Sequence, residues 1–182
     1  AEARDSRGLS QVALGDLIGR DGSTVSRWER AGQLPEPEAL QSLSEALRLP
    51  VPYFLKPLTD HGTRPMFFRA LLSTTTQADR KRAKVRLRWA QDIAVALQEW
   101  LELPAVDIPM IETSDHRQIR DEDIEAIAAE CRRRWALGIG PISDMMLAVE
   151  NAGVIVVREE VGTASMDGVS NWSDLDNRPG IL

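Results

Sequence analysis

Cysteine and histidine are scarce in this sequence of 182 residues. The one cysteine, Cys131, leaves no intramolecular disulfide, and the two histidines, His61 and His116, stand too far apart in sequence to form a His-rich metal site by themselves. What the sequence does offer is hydrogen bonding. The segment GSTVSRWER, residues 22 to 30, concentrates the hydroxyls of Ser23, Thr24 and Ser26 and the guanidinium groups of Arg27 and Arg30. A hydroxyl gives one hydrogen bond and accepts others, and an arginine gives several from a rigid planar fork. Such groups suit the reading and holding of a polar partner.

The elements around them are set by a second pattern. Gln11, Gly15, Gly19, Val25 and Glu29 take the first, fifth, ninth, fifteenth and nineteenth places of one window. Two helices can cross steeply over a short turn only if the crossing residue is small (Gly15), the turn accepts a positive φ (Gly19) and an apolar residue fills the angle (Val25). Ser10 is a good N-cap for a helix from Gln11, Gly19 suits its exit, and Asp21 suits the start of a second helix running to about Arg30. Gly32, Pro35 and Pro37 mark the end of that helix. Leu40, Leu43 and Leu47 form one buried stripe of a further helix, closed by Pro50 and Pro52. The pattern predicts a helix-turn-helix. A plain helical bundle would not need Gly15, Gly19 and Val25 at these intervals together with hydroxyls and arginines on the open face.

The string RGLSQVALGDLIGRDGSTVSRWERAGQLPEPEALQSLSEALRLPVPYF, about 50 residues, resembles the Cro and phage-repressor (XRE) type of helix-turn-helix. The resemblance implies that the helix from Gly22 to Arg30 enters the major groove of double-stranded DNA while the helix from Gln11 crosses the backbone. It gives Arg27 a two-pronged contact to a guanine edge and Ser23 a less selective one, and it assigns Gln11, Thr24, Ser26 and Arg30 to phosphates or supporting contacts. Gly22 stands where the family often has a base-reading side chain, so part of the direct readout is either missing or replaced by a close backbone approach. Gly15 stands where alanine is usual. Trp28 is expected to be packing, and Glu29 to pair with an arginine of the preceding helices. The family also implies a homodimer on a palindromic operator.

The net charge of −6 looks unsuited to DNA until it is divided along the chain. Residues 1–55 carry 6 basic and 8 acidic groups, residues 56–104 carry 9 and 5, and residues 105–182 carry 7 and 15. Local potential at the contacting face matters more than the total, so the acidic last section does not rule DNA out. No apolar run approaches the roughly 20 residues of a membrane span, and the expected address is the cytoplasm.

The predicted fold class is α+β, mainly α, with an all-helical domain at 1–55, a linker at 56–65 (KPLTDHGTRP) and a mixed domain at 66–182. In that second domain Phe67, Phe68, Leu71 and Leu72 suggest a short buried strand. A long helix is expected over 78–103, with Val85, Trp89, Ile93, Leu97 and Trp100 as its core-facing seam, and the run RKRAKVRLR, 80–88, as a solvated face. A helix over 121–137 is stopped by Gly138 and Gly140 and has Cys131 as a small core residue; Pro141 opens the next, to about Asn151; Val154 to Val157 forms a buried strand.

Four segments, FFRALL, WLELPAVDIP, IEAIAAECRRRWALGIGPISDMMLAVENAGVIVVR and DGVSNWSDLDNRPGIL, resemble the beginning of the ImmA/IrrE-type domain, a zincin-like metallopeptidase module often found after an XRE-type domain. The family's next element would be a helix with His-Glu-x-x-His, which binds zinc and activates water. That motif is absent from this sequence, so no catalytic residue and no metal ligand is carried over, and zinc is expected only in a longer protein. Both ends of the sequence read as cut. Three readings follow: a sequence-specific DNA-binding transcriptional regulator of the repressor kind, with a sensor-like or peptidase-like second domain; a zinc endopeptidase whose catalytic segment lies outside this chain; or an antitoxin that represses its own operon and covers a protein partner with its acidic domain.

Overall fold

Short helices, each ended by its own sequence, make up the first third of the chain. The computed structural model describes residues 1–30, 33–70, 75–111, 113, 115–160 and 166–182. Helix α1 spans Glu2–Asp5, α2 Gln11–Leu17, α3 Gly22–Arg30 and α4 Pro37–Leu47, and a 3-10 turn follows at Val51–Phe54. The Ser10 hydroxyl accepts the Ala13 N–H, and Gly19 leaves α2 with φ of 65°. Leu43 and Leu47 of α4 join Ala3, Leu14 and Val25 in one core, with Trp28, Tyr53 and Phe54 packed at its margin. The end of α4 differs from expectation. Arg48, in the left-handed conformation at φ 53°, stops the helix, and Pro52 lies inside the 3-10 turn. Gly32, the expected exit of α3, lies outside the described residues.

The remainder is mixed and still mainly helical. Strand β1 is Phe67–Ala70, α5 Gln77–Leu97, α6 Asp121–Arg134, α7 Met145–Asn151, β2 Ile155–Val156, β3 Met166–Ser173 and β4 Arg178–Ile181, with a short 3-10 turn at His116–Gln118. The sheet order is β1-β3-β4-β2; β3 runs antiparallel to β1 and β4, and β2 is parallel to β4. Helix α5 lies on one face of the sheet, where Ala83 and Leu87 pack against Val169 of β3. It is capped by a box in which the Thr76 hydroxyl accepts from the Asp79 N–H and the Asp79 carboxylate accepts from the Thr76 N–H.

Several expectations need correction. The face of α5 that meets the sheet is Ala83, Leu87, Gln91 and Ala94, at spacings of four, four and three, not the seam of larger residues. Val85 is buried, but Ile93 is 61% exposed, Leu97 43% and Trp100 82%. Small alanines and a glutamine let helix and sheet approach closely, and Gln91 meets Asn171 of β3 at 3.4 Å, so the bulky stripe is turned away. Phe67 is 60% exposed because β1 is an edge strand whose alternation sends Phe68 to the core side; Leu71 and Leu72 lie outside the described residues. The basic run is not simply solvated: Arg80 lies over the Phe68 ring, Arg86 pairs with Glu159 and Arg88 with Glu2. Helix α6 ends at Arg134, before Gly138, and buries no residue, so Cys131 is half-buried, not in a core. Burial pushes the Cys131 thiol up, against the pull of Arg134. Helix α7 starts at Met145, after Pro141, because the Asp144 carboxylate accepts the Leu147 N–H and makes a better start. The β-branched run after Gly153 (φ 86°) forms a strand only at Ile155–Val156, both half-buried, with Val154 buried beside it, so the expected buried strand over 154–157 is shorter and more open.

Candidate nucleic-acid interface

Helices α2 and α3 meet through two glycines. A methyl on Gly15 would lie 2.4 Å from the Arg20 carbonyl oxygen and 3.0 Å from the Gly22 nitrogen, and one on Gly22 would lie 3.0 Å from the Val12 backbone. The Arg20 N–H donates to the Gly15 carbonyl at 2.9 Å, closing the turn on the place where a side chain would be. Helix α3 then starts on the Asp21 carbonyl, which accepts the N–H groups of Thr24 and Val25. Val25 is buried in the angle between the helices.

The inner side of α3 is held by charge. Glu29 accepts Arg4 Nε at 2.8 Å and Nη2 at 3.0 Å, and its second oxygen also accepts Gln11 Nε2 at 2.7 Å. Arg4 donates further to Asp5 and to the Leu9 carbonyl. One carboxylate thereby joins α1, α2 and α3. Burial works against its ionisation, but the hydrogen bonds from Arg4 and Gln11 prevail and bring the Glu29 pKa down to about 2. Arg7 secures the other side by donating twice to the Leu47 carbonyl at the end of α4, at 2.9 and 2.7 Å.

The outer side carries the predicted contacts unevenly. Ser23, Arg27 and Arg30 are exposed, and Arg27 Nη2 donates to the Thr24 hydroxyl at 3.0 Å. Ser26 is buried and accepts Arg30 Nη2 at 2.5 Å, which draws Arg30 back along its own helix. Gln11 is half-buried and committed to Glu29. The Cβ direction of Gly22 faces Val12, so only its backbone can approach a partner. Trp28 packs on the core, and Glu29 pairs with an arginine of α1, as the sequence led one to expect. Arg20, passed over in the sequence, is exposed in the turn; with Asp16, Gly19, Asp21 and Thr24 it lines an open polar cleft at the start of α3. Its signal is a cation in the turn that leads into the exposed helix.

Polar contacts tie this body to α5 and to the chain between them. The Trp89 indole N–H donates to the Tyr53 hydroxyl at 3.0 Å, and the two rings meet edge to face. His61, in the segment expected as a linker, is buried with Nδ1 3.1 Å from the Ser173 hydroxyl and Nε2 2.8 Å from Asp92, which also meets Lys56 at 3.4 Å. Ser173 is fully buried, so this arrangement is a structural fastening with no room for a substrate. The zinc implied by the second resemblance finds no fitting ligand set: among the described residues no three His, Cys, Asp or Glu side chains converge on one point, and His61 is already engaged at both ring nitrogens. Among the described residues no helix is long and apolar enough to cross a membrane.

Residues 1–54 match the helix-turn-helix family. The match runs from α1 through the 3-10 turn and supports a DNA-binding transcription regulator. Among the curated proteins and the solved structures, none matches the chain.

Proposed function

We propose that the chain is a sequence-specific regulator of transcription, a repressor that lays α3 in the major groove of a palindromic operator as a homodimer. The observation that carries the reading is the two-sidedness of α3. Its inner side is pinned through Glu29 to Arg4 and Gln11, while Ser23 and Arg27 stand exposed on the other. A helix fixed from behind and polar in front is what base reading requires. Arg27 reads a guanine edge; Ser23 adds a less selective contact; Thr24 orients Arg27; Arg30 and Arg20 serve phosphates. Gln11 and Ser26 support the helix rather than touch DNA. The region from residue 66 onward acts as the sensing part, working in the cytoplasm.

The test is a gel-shift titration against the promoter of the chain's own gene, with scrambled competitor. Arg27→Ala should cost about 1–3 kcal/mol and relax the preference at a single base position. Equal affinity of wild-type protein for specific and scrambled DNA, unchanged in the variant, would refute the reading.

A further inference from the structure

The helix-turn-helix body is short of cations for the polymer it is read as binding. Of the six arginines in residues 1–55, Arg4 is buried on Glu29, Arg7 donates twice to the Leu47 carbonyl and Arg48 closes α4. That leaves Arg20, Arg27 and Arg30 beside eight acidic groups. Much of the affinity for DNA comes from neutralising phosphates, so such a body needs cations from a neighbour.

The neighbour is the start of α5. Residues 80–88 hold six basic groups, in the one section of the chain where cations outnumber carboxylates. Four of the six are occupied within the fold: Arg80 lies over Phe68, Arg82 rests where a methyl on Gly8 would be, Arg86 pairs with Glu159 and Arg88 with Glu2. Lys81 and Lys84 are exposed, and among the described residues neither has an ion pair or a hydrogen bond. Three residues apart, they share one side of the helix. Asp79, the carboxylate nearest them in sequence, is turned onto Thr76.

Two contacts fix which way α5 runs. Arg82 sits against Gly8, just beyond the end of α1, while Arg88 reaches Glu2 at the start of α1. Helix α5 is therefore antiparallel to α1, and its basic start lies beside the turn that leads from α1 into α2. That turn ends at Ser10, the N-cap of α2. In the docking proposed above α2 crosses the DNA backbone, so the end of the body that meets phosphates is the end where Lys81 and Lys84 stand.

We infer that Lys81 and Lys84 hold phosphates of the DNA backbone beside the groove that α3 reads, which extends the binding surface beyond residues 1–54 onto α5. The inference rests on the DNA reading above and adds to it a contact that positions the protein without reading a base. Ala83 and Leu87 of the same helix pack on Val169 of the sheet, so a shift of the sheet region would move the lysines with it.

Salt dependence separates this role from base reading. Affinities for DNA of the chain's own promoter and for scrambled DNA are measured by fluorescence anisotropy over a series of salt concentrations. The proteins are wild type, Lys81→Gln/Lys84→Gln, Arg27→Ala and a charge-matched control, Arg117→Gln/Arg120→Gln, at two exposed arginines before α6. At about 0.9 per phosphate, the lysine variant should lose roughly two units of slope in log affinity against log salt. It should weaken on both DNAs by the same factor, on the order of tenfold at about 0.1 M salt, and keep its base preference. Both lysines are exposed, so helix content and thermal midpoint should hold. In a Cys131→Ser background, an iron chelate tethered at Lys84→Cys should cut the backbone of bound DNA. An unchanged slope, a loss no larger than the control's, a relaxed base preference, or absence of those cuts would each overturn the inference. The two readings fail differently. A wild type that does not tell promoter from scrambled DNA, yet loses slope in the lysine variant, keeps the α5 contact and sinks the base-reading role of α3; an unchanged slope in a protein that keeps its preference sinks the α5 contact alone.

Discussion

Replacing Glu29 by glutamine removes a carboxylate that three helices share, and the structure gives the size of the effect. The folded pKa of Glu29 is about 2 against an ordinary 4.5. At roughly 1.4 kcal/mol per pH unit, the ionised form contributes about 3 kcal/mol to stability near neutral pH. The figure is of the order of the cost of about 3–5 kcal/mol for breaking a buried ion pair, and the buried Arg4 would keep Asp5 and the Leu9 carbonyl but lose the charge of Glu29. Because the folded pKa is depressed, the contribution is complete above about pH 4.5 and is lost as pH falls toward about 2. Urea unfolding followed by circular dichroism, at a series of pH values for wild type and Glu29→Gln, should show a gap of about 3 kcal/mol at neutral pH that closes in acid. A gap below about 1 kcal/mol, or one of constant size at every pH, would refute the account of the pinned helix.

Two further substitutions separate competing effects. Gly15→Ala should gain about 1 kcal/mol on helix propensity alone, but the new methyl would stand 2.4 Å from the Arg20 carbonyl, so the turn must shift; a net loss of about 1–3 kcal/mol in urea unfolding, with weakened operator binding, is expected. Tyr53→Phe removes only the acceptor of the Trp89 indole, so stability should fall by about 1 kcal/mol while half-site affinity holds, and discrimination between operators of different half-site spacing should relax in gel shifts.

The helix-turn-helix was legible because backbone geometry dictates residue type there. Gly15 must be small, Gly19 must take positive φ and Val25 must fill an angle, and no other part of the structure can change those demands. Glu29 could be assigned to an arginine from its position; that the arginine is Arg4 depends on how α1 folds back, which no local pattern records. The second region was less legible for the opposite reason. On α5 the largest apolar residues gave the strongest periodic signal, yet the sheet took Ala83, Leu87, Gln91 and Ala94, since a close approach prefers small side chains and Gln91 finds Asn171. In the same way Phe67 could not be told from Phe68 without knowing that β1 is an edge. Ser26 illustrates the limit at the candidate site itself: a hydroxyl of α3 has the right chemistry but is buried and bonded to Arg30.

Helix α5 meets the helix-turn-helix body along α1 and at Tyr53. Helix α5 touches the helix-turn-helix body through Trp89 on Tyr53 and Arg88 on Glu2, and through the connecting chain by Asp92 on Lys56 and His61. Tyr53 stacks edge-on against Phe54, which packs on the same core as Leu14, Val25 and Leu47. A rotation of α5 would therefore reach the seat of α3 through α1 and through Tyr53, whose hydrogen bond to Trp89 is worth about 1 kcal/mol. In the dimer proposed above, a change at the sheet would shift the separation and tilt of the two α3 helices, so on that reading regulation acts through operator spacing.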